Sequence, residues 1–198
     1  MQYDLKPVEV HGVFTPEEYA SVYQTINTVL NDELSKDKFN VSDTGYIAIT
    51  RRLDRIVLER ILYTAQKYTN LKLKNSMTHI ARYTHMSQAT PTLRPHYDIM
   101  LEQPSITISI QLDGTMDWDL FVENQKFSLF KNSAAIFSGS HQIHWRPPIN
   151  FKENDYFDVM VCQLYSDEGI SMILTDEHKE LMKNKSNHWN VEYDKIYS

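Results

Sequence analysis

The stretch MTHIARYTH (residues 77–85) marks a change in the texture of the chain. From here short segments rich in Thr, Ile, Val, Tyr and Phe follow one another between turn residues: SITISIQLD (105–113), DLFVEN (119–124), KFSLF (126–130), AAIFSG (134–139), QIHW (142–145) and YFDVMVCQLY (156–165). β-Branched and aromatic side chains fit a pleated, half-buried surface, and segments this short suit strands rather than helices. A run of this kind pairs antiparallel and closes into a sandwich or barrel. Asn124-Gln125 and Lys131-Asn132 are the expected tight turns of two connections.

Upstream of this run the pattern is helical. Thr15-Pro16-Glu17-Glu18 supplies an N-cap hydroxyl, a proline at the first helical position and a glutamate at the third, the residues of a capping box. Tyr19, Val22, Ile26 and Val29 then recur at helical spacing. A second helix is expected from about Arg52 to Tyr68. Leu53, Ile56, Val57, Ile61 and Ala65 form its apolar face, Arg52, Arg55, Glu59 and Gln66 the opposite one, and Arg60 falls at the edge. Between the helices VSDTGYIAIT (41–50) reads as a short strand after a turn. Near the C-terminus TDEHKELMKN (175–184) reads as a short helix. Thr175 is its N-cap, and acidic residues fill the first turn, where the helix dipole favours them. The closing KSNHWNVEYDKIYS (185–198) carries no pattern that assigns it.

Composition bounds what such a chain does. Its 198 residues are 41% hydrophobic and 23% charged, ordinary for one globular domain. No repeat, low-complexity tract or linker divides it, so a single domain over 1–198 is expected. Residues 1–75 would form a helical buttress, 77–165 a β core, and 166–198 a C-terminal helix and tail. A net charge of −6 opposes a general phosphate-backbone binder, and no nucleic-acid-binding motif is present. No apolar run approaches a membrane span, and the N-terminus MQYDLKPVEVHGVF has no cleavable signal pattern. The single Cys162 makes no internal disulfide and reads as a small core residue. Together these readings predict a cytoplasmic protein.

The chemistry concentrates in LRPHYDIM (93–100). If residues 94–99 are extended, His96 and Asp98 point to the same face and Tyr97 to the other. HQIHW (141–145) offers the third member of a metal site in His144, or in His141 three residues earlier. Two imidazoles and one carboxylate on one side of a metal leave the other side open. That suits non-haem Fe(II), which must bind further ligands. A structural zinc site would be closed and usually carries cysteine.

The order of these features resembles the 2-oxoglutarate- and Fe(II)-dependent dioxygenases, in particular their prolyl-4-hydroxylase-like branch. In that family a strand with a tyrosine (here HIARYTH, Tyr83) precedes the HxD strand. A strand ending in a polar residue follows (ISIQLDG, Gln111), and small and apolar residues lead to the distal histidine (FKNSAAIFSGSHQIHW). DVMVCQLY is then the last core strand. The resemblance covers about residues 77–165 and implies a mainly β fold with flanking helices, a double-stranded β-helix (jelly roll, cupin-like). It implies His96, Asp98 and His144 as Fe(II) ligands, with 2-oxoglutarate and O2 as cosubstrates. The implied reaction hydroxylates an unactivated C–H with release of succinate and CO2. The substrate would be a protein side chain, an amino acid or a small metabolite. The family usually places a basic residue on the final strand to hold the far carboxylate of 2-oxoglutarate. Here position 154 is Asn, and residues 156–165 carry no Arg or Lys. Arg146, two residues past His144 and so on the same strand face, is the replacement, with Tyr83 and Gln111 as further cosubstrate contacts and Lys126 and Lys152 in reserve. Arg94, His141 and Trp145 are candidate substrate contacts, while His79, His85 and Tyr97 read as structural or peripheral. The alternative is a cupin-like metal-binding module without oxygenase activity.

Overall fold

The computed structural model describes residues 5–35, 46–50, 53–85, 90–98, 105–166 and 176–197. In chain order the elements are β1 (Val8–His11), α1 (Pro16–Ser35), β2 (Tyr46–Thr50), α2 (Arg55–Thr69), β3 (Leu73–Thr84) and β4 (Leu93–His96). They continue with β5 (Ser105–Gly114), β6 (Leu120–Val122), β7 (Gln125–Phe127), β8 (Ser133–Phe137), β9 (His144–Arg146), β10 (Tyr156–Ser166) and α3 (Asp176–Tyr197). The strands form a six-stranded sheet in the order β1-β8-β5-β10-β3-β2 and a four-stranded sheet in the order β4-β9-β6-β7. Every pairing is antiparallel. This is the double-stranded β-helix that the resemblance implies, and it closes the strand run as expected.

Alternation of side chains decides which face of the large sheet does what. Ile106, Ile108, Ile110 and Leu112 of β5 and Met160, Cys162 and Leu164 of β10 point outward into one core with Val22 and Ile26 of α1 and Ile61 and Ala65 of α2. The intervening Thr107 and Ser109 of β5 and Val159, Val161 and Gln163 of β10 point inward and line a cavity between the sheets. Ala81, Tyr83, Trp118, Phe157 and Val159 pack together at one end of that cavity.

Helix α1 starts where its capping box places it. The Glu18 amide donates to Thr15 Oγ1 at 3.2 Å, and Glu18 Oε2 accepts from the Thr15 amide at 2.9 Å. Arg60, at the edge of the apolar face of α2, reaches Glu18 at 2.8 Å and ties the two helices together. Helix α2 ends at Asn70 in the left-handed region, φ 55°. Ile56 departs from the expected apolar face and is 71% exposed.

Other elements differ from expectation as well. The β6–β7 turn falls on Glu123-Asn124, one residue earlier than the sequence suggests, because Val122 pairs with Gln125. Glu123 takes the positive φ of 55° that the turn requires. The Lys131-Asn132 turn forms as expected, with Asn132 at φ 62°. Strand β1 has no counterpart in the sequence reading and adds an edge to the large sheet. Helix α3 runs on through the unassigned tail to Tyr197. Arg52, Thr175 and residues 41–45 of the expected turn lie outside the described residues, as does the side chain of Val29.

Candidate metal centre

The small sheet delivers the ligands. His96 closes the edge strand β4 and pairs directly with His144, the first residue of β9. Asp98 follows two residues later, its amide donating to Gly139 O at 2.9 Å. One ligand atom from each of His96, Asp98 and His144 lies within 4.8 Å of the others. The imidazoles sit with centroids 4.2 Å apart, and Asp98 Oδ1 lies 3.5 Å from His144 Nε2.

Hydrogen bonds fix how these groups present themselves. His96 Nδ1 faces Arg94 O at 2.8 Å and His144 Nδ1 faces Gln142 O at 3.1 Å. A carbonyl only accepts, so each Nδ1 carries the proton and each Nε2 keeps its lone pair for a cation. Thr107 Oγ1 donates to Asp98 Oδ2, which leaves Oδ1 for the site. Gly139 is required here. A Cβ at that position would overlap Asp98 Oδ2 and Thr107 Oγ1 and lie 2.8 Å from Asp98 Cγ.

The electrostatics agree with this assignment. Burial, helped by neighbouring His144, pushes His96 down to about 4, so its imidazole is neutral near pH 7. Burial alone would raise Asp98, but neighbouring His144 and the hydrogen bond from Thr107 outweigh it and hold the carboxyl at about 2. Two imidazoles and a carboxylate, preset with their donor atoms together, fit a divalent transition metal.

Arg146 lies in the same cavity and is 3% exposed. Its guanidinium lies over the rings of Trp118 and Phe157, 5.3 and 4.9 Å from their centroids, and Nη1 donates to Trp118 O. Burial lowers it to about 10, so it stays charged at neutral pH. Nη2 has no hydrogen-bond partner, and no carboxylate pairs with the guanidinium among the described residues. A buried cation without a counter-ion is costly, and a carboxylate ligand would supply the missing charge.

Of the other candidates, Tyr83 lines the cavity. Gln111 is buried, with Oε1 unpartnered among the described residues, but it does not line the cavity. Lys126 pairs with Asp119 at 2.7 Å and Lys152 is exposed; neither reaches the cavity. His141 sits outside the triad, its Nδ1 2.8 Å from Ser140 Oγ. Arg94 and Trp145 turn to the outer face of the small sheet. Arg94 pairs with Asp194 at 2.7 Å, and Trp145 packs between Phe121 and Trp189 at 4.9 and 4.6 Å. His79 and Tyr97, expected to be structural or peripheral, line the cavity, as do Thr107, Ser109 and Gln163; these last three and Gly139 are not among the sequence candidates. Thr107 and Ser109 were findable, as the polar positions between the isoleucines of SITISI.

No family model and no curated protein matches the sequence. Solved structures do. The chain is similar to the viral collagen prolyl hydroxylase of Paramecium Bursaria Chlorella virus-1 in its 2OG complex, with a TM-score of 0.56 and 11% identity, covering 84% of this chain and 99% of that one. It is similar to the non-haem α-ketoglutarate-dependent epimerase SnoN from nogalamycin biosynthesis, with a TM-score of 0.64 and 12% identity over 83% and 80% of the two chains. A prolyl hydroxylase of Trichoplax adhaerens, in complex with a hypoxia inducible factor oxygen degradation domain peptide fragment, gives a TM-score of 0.58 and 13% identity over 87% and 88%. At these identities what is shared is the fold.

Proposed function

We propose that this chain is a 2-oxoglutarate- and Fe(II)-dependent oxygenase that hydroxylates an unactivated C–H of a protein side chain, amino acid or small metabolite. The observation that carries this reading is one cavity holding both a preset His96–Asp98–His144 donor set and, in Arg146, a buried cation that no carboxylate of the described residues pairs with. His96, Asp98 and His144 would hold the metal through Nε2, Oδ1 and Nε2. Arg146 would hold the far carboxylate of 2-oxoglutarate, with Tyr83 beside it on the cavity wall. When bound, Fe(II) with 2-oxoglutarate and O2 supplies the oxidising power, and one oxygen atom enters the substrate while the other leaves in succinate alongside CO2.

The chain's own contribution is orientation and exclusion of water. Nδ1–H bonds to Arg94 O and Gln142 O orient both imidazoles with Nε2 toward the site. Thr107 fixes the carboxylate, and Leu120, Phe137, Val159 and Val161 keep the lining apolar. The cavity, about 320 Å³, suits a cosubstrate and one small group brought to it. The described helices include none long and apolar enough to cross a membrane. The Trichoplax neighbour holds a peptide, which supports a peptide or small-molecule substrate here as well.

The test is Fe(II)-dependent consumption of O2 with release of succinate from 2-oxoglutarate, compared between the wild type and Asp98→Ala. Activity in the wild type and none in the variant is expected. Metal bound by the wild type without any turnover of 2-oxoglutarate would instead favour a metal-binding module.

A further inference from the structure

Strand β4 carries His96 yet is poorly held by its own sheet. It is four residues long, lies at the sheet edge, and its register with β9 breaks between Leu93 and His96. Pro95, inside that break, has no N–H to donate. An edge strand this short would let His96 move relative to His144. Helix α3 supplies what the ladder lacks.

Asn190 donates from Nδ2 to Pro95 O at 3.0 Å and to Ser186 O at 2.9 Å, while its Oδ1 accepts from Arg94 Nε at 3.2 Å. The amide is thus fixed on both sides against the peptide that precedes His96. The carbonyl of Arg94, in turn, orients the His96 ring through Nδ1. On the β9 side the Tyr193 hydroxyl, on a side chain 5% exposed, donates to Arg146 O at 3.3 Å and also meets Thr92 Oγ1. Trp189 packs on Trp145, between His144 and Arg146, at 4.6 Å. Helix α3 therefore grips the backbone of both ligand-bearing strands within two residues of His96, His144 and Arg146.

We infer that α3 is a positioning element of the metal centre, in which Asn190 and Tyr193 set the spacing of His96 and His144, so that docking of the helix and metal occupancy are coupled. This rests on the reading of His96, Asp98 and His144 as metal ligands. Coupling of this kind is reciprocal: a helix that favours the metal-ready geometry is itself held more firmly when metal binds.

The test titrates Mn(II), a redox-inert probe, into wild-type protein, Asn190→Ala and Tyr193→Phe by calorimetry, alongside thermal unfolding of each metal-free protein. Loss of a group that orients ligands weakens metal binding roughly tenfold or more, and that loss is expected in both variants while their metal-free melting stays near wild type. In the wild type, Mn(II) should slow amide hydrogen exchange in residues 186–195 of α3 more than in α2. This second measurement stands even where a variant fails to fold. Wild-type Mn(II) affinity in both variants, or equal slowing of α2 and α3, overturns the inference and leaves the metal site standing. Absence of Mn(II) and Fe(II) binding in the wild type overturns the metal reading and this inference with it.

Discussion

At the scale of single residues, Arg146 and His96 carry the sharpest consequences. Arg146 is a buried charge whose only polar partner among the described residues is a backbone carbonyl. If it pairs with the far carboxylate of 2-oxoglutarate, Arg146→Ala removes one partner of a poorly solvated pair, at a cost on the order of 3–5 kcal/mol. The apparent affinity for 2-oxoglutarate should fall a hundredfold or more, by the rule of about 1.4 kcal/mol per factor of ten, with Mn(II) binding spared. Arg146→Lys should recover only part, since an ammonium lacks the two-pronged fork. An unchanged dissociation constant in the Ala variant would take the cosubstrate away from Arg146. His96 makes a prediction about pH in the metal-free protein. Its imidazole sits at about 4 when folded against an ordinary 6.5, so below 6.5 the unfolded chain takes up a proton that the folded chain refuses. Stability from this group is full above 6.5 and is lost as pH falls toward 4. Asp98, at about 2 against 3.8, adds a second loss in the same direction as pH falls through that lower window. Between pH 7 and 5 the His96 effect is about 2 kcal/mol. Urea midpoints of the wild type should shift accordingly, and His96→Gln should lose that shift; identical shifts in the two would place the titrating group elsewhere.

At the scale of elements, attachment of α1 to the large sheet depends on a buried ion pair. Arg82 of β3 donates to both oxygens of Asp158 of β10 at 2.7 and 2.6 Å, and also to Asn27 of α1 at 2.9 Å. Asp158 is wholly buried, so Asp158→Ala leaves the Arg82 charge without its carboxylate, and a loss of about 3 kcal/mol is expected in urea unfolding. A loss under about 1 kcal/mol would mean that water or other groups replace the carboxylate. This pair also illustrates what the sequence conceals. Local rules were legible: the capping box of α1 lies within four residues, and the alternation of Ile106, Ile108 and Ile110 assigns a strand and its outward face. The grouping of His96, Asp98 and His144 was legible in part: strand geometry ties His96 to Asp98 and the strand order returns HQIHW to them, but only the fold separates His144 from His141. Contacts that exist only across the fold were not. Trp189 and Tyr193 form no readable pattern in the tail, since their partners Trp145 and Thr92 are far away in the chain. Simple alternation would set Arg94 on the same face as His96. The register break at Pro95 cancels that rule, and Arg94 turns out to Asp194. His79 and Gln163 are not legible, because nothing local says which face of β3 or β10 meets the cavity; the pairing of those strands decides it.

At the scale of the whole molecule, Cys162 reports on how the protein opens. It lies on β10, between β5 and β3, with its side chain in the core beneath α1 and α2. Burial pushes its thiol up to about 12, although a hydrogen bond with Thr78 opposes the shift. The reactive species is the thiolate, so the folded protein should resist iodoacetamide at pH 8 while the urea-unfolded chain is alkylated at once. Reaction in native conditions then requires the sheet to part from its helices, and the rate follows the population of that open form. A ligand that binds only the folded protein lowers that population by a factor of one plus the ratio of its concentration to its dissociation constant. At about 100 times its dissociation constant it stabilises by ~2.7 kcal/mol, which is roughly a hundredfold slowing of alkylation. Mn(II) with 2-oxoglutarate should protect Cys162 by this amount in the wild type. The Asp98→Ala protein, lacking a ligand, should gain little protection at the same concentrations. Rapid labelling of native Cys162 would mean that the large sheet opens locally without releasing the site. Equal protection of Asp98→Ala would mean that the ligands bind somewhere other than the His96–Asp98–His144 cavity.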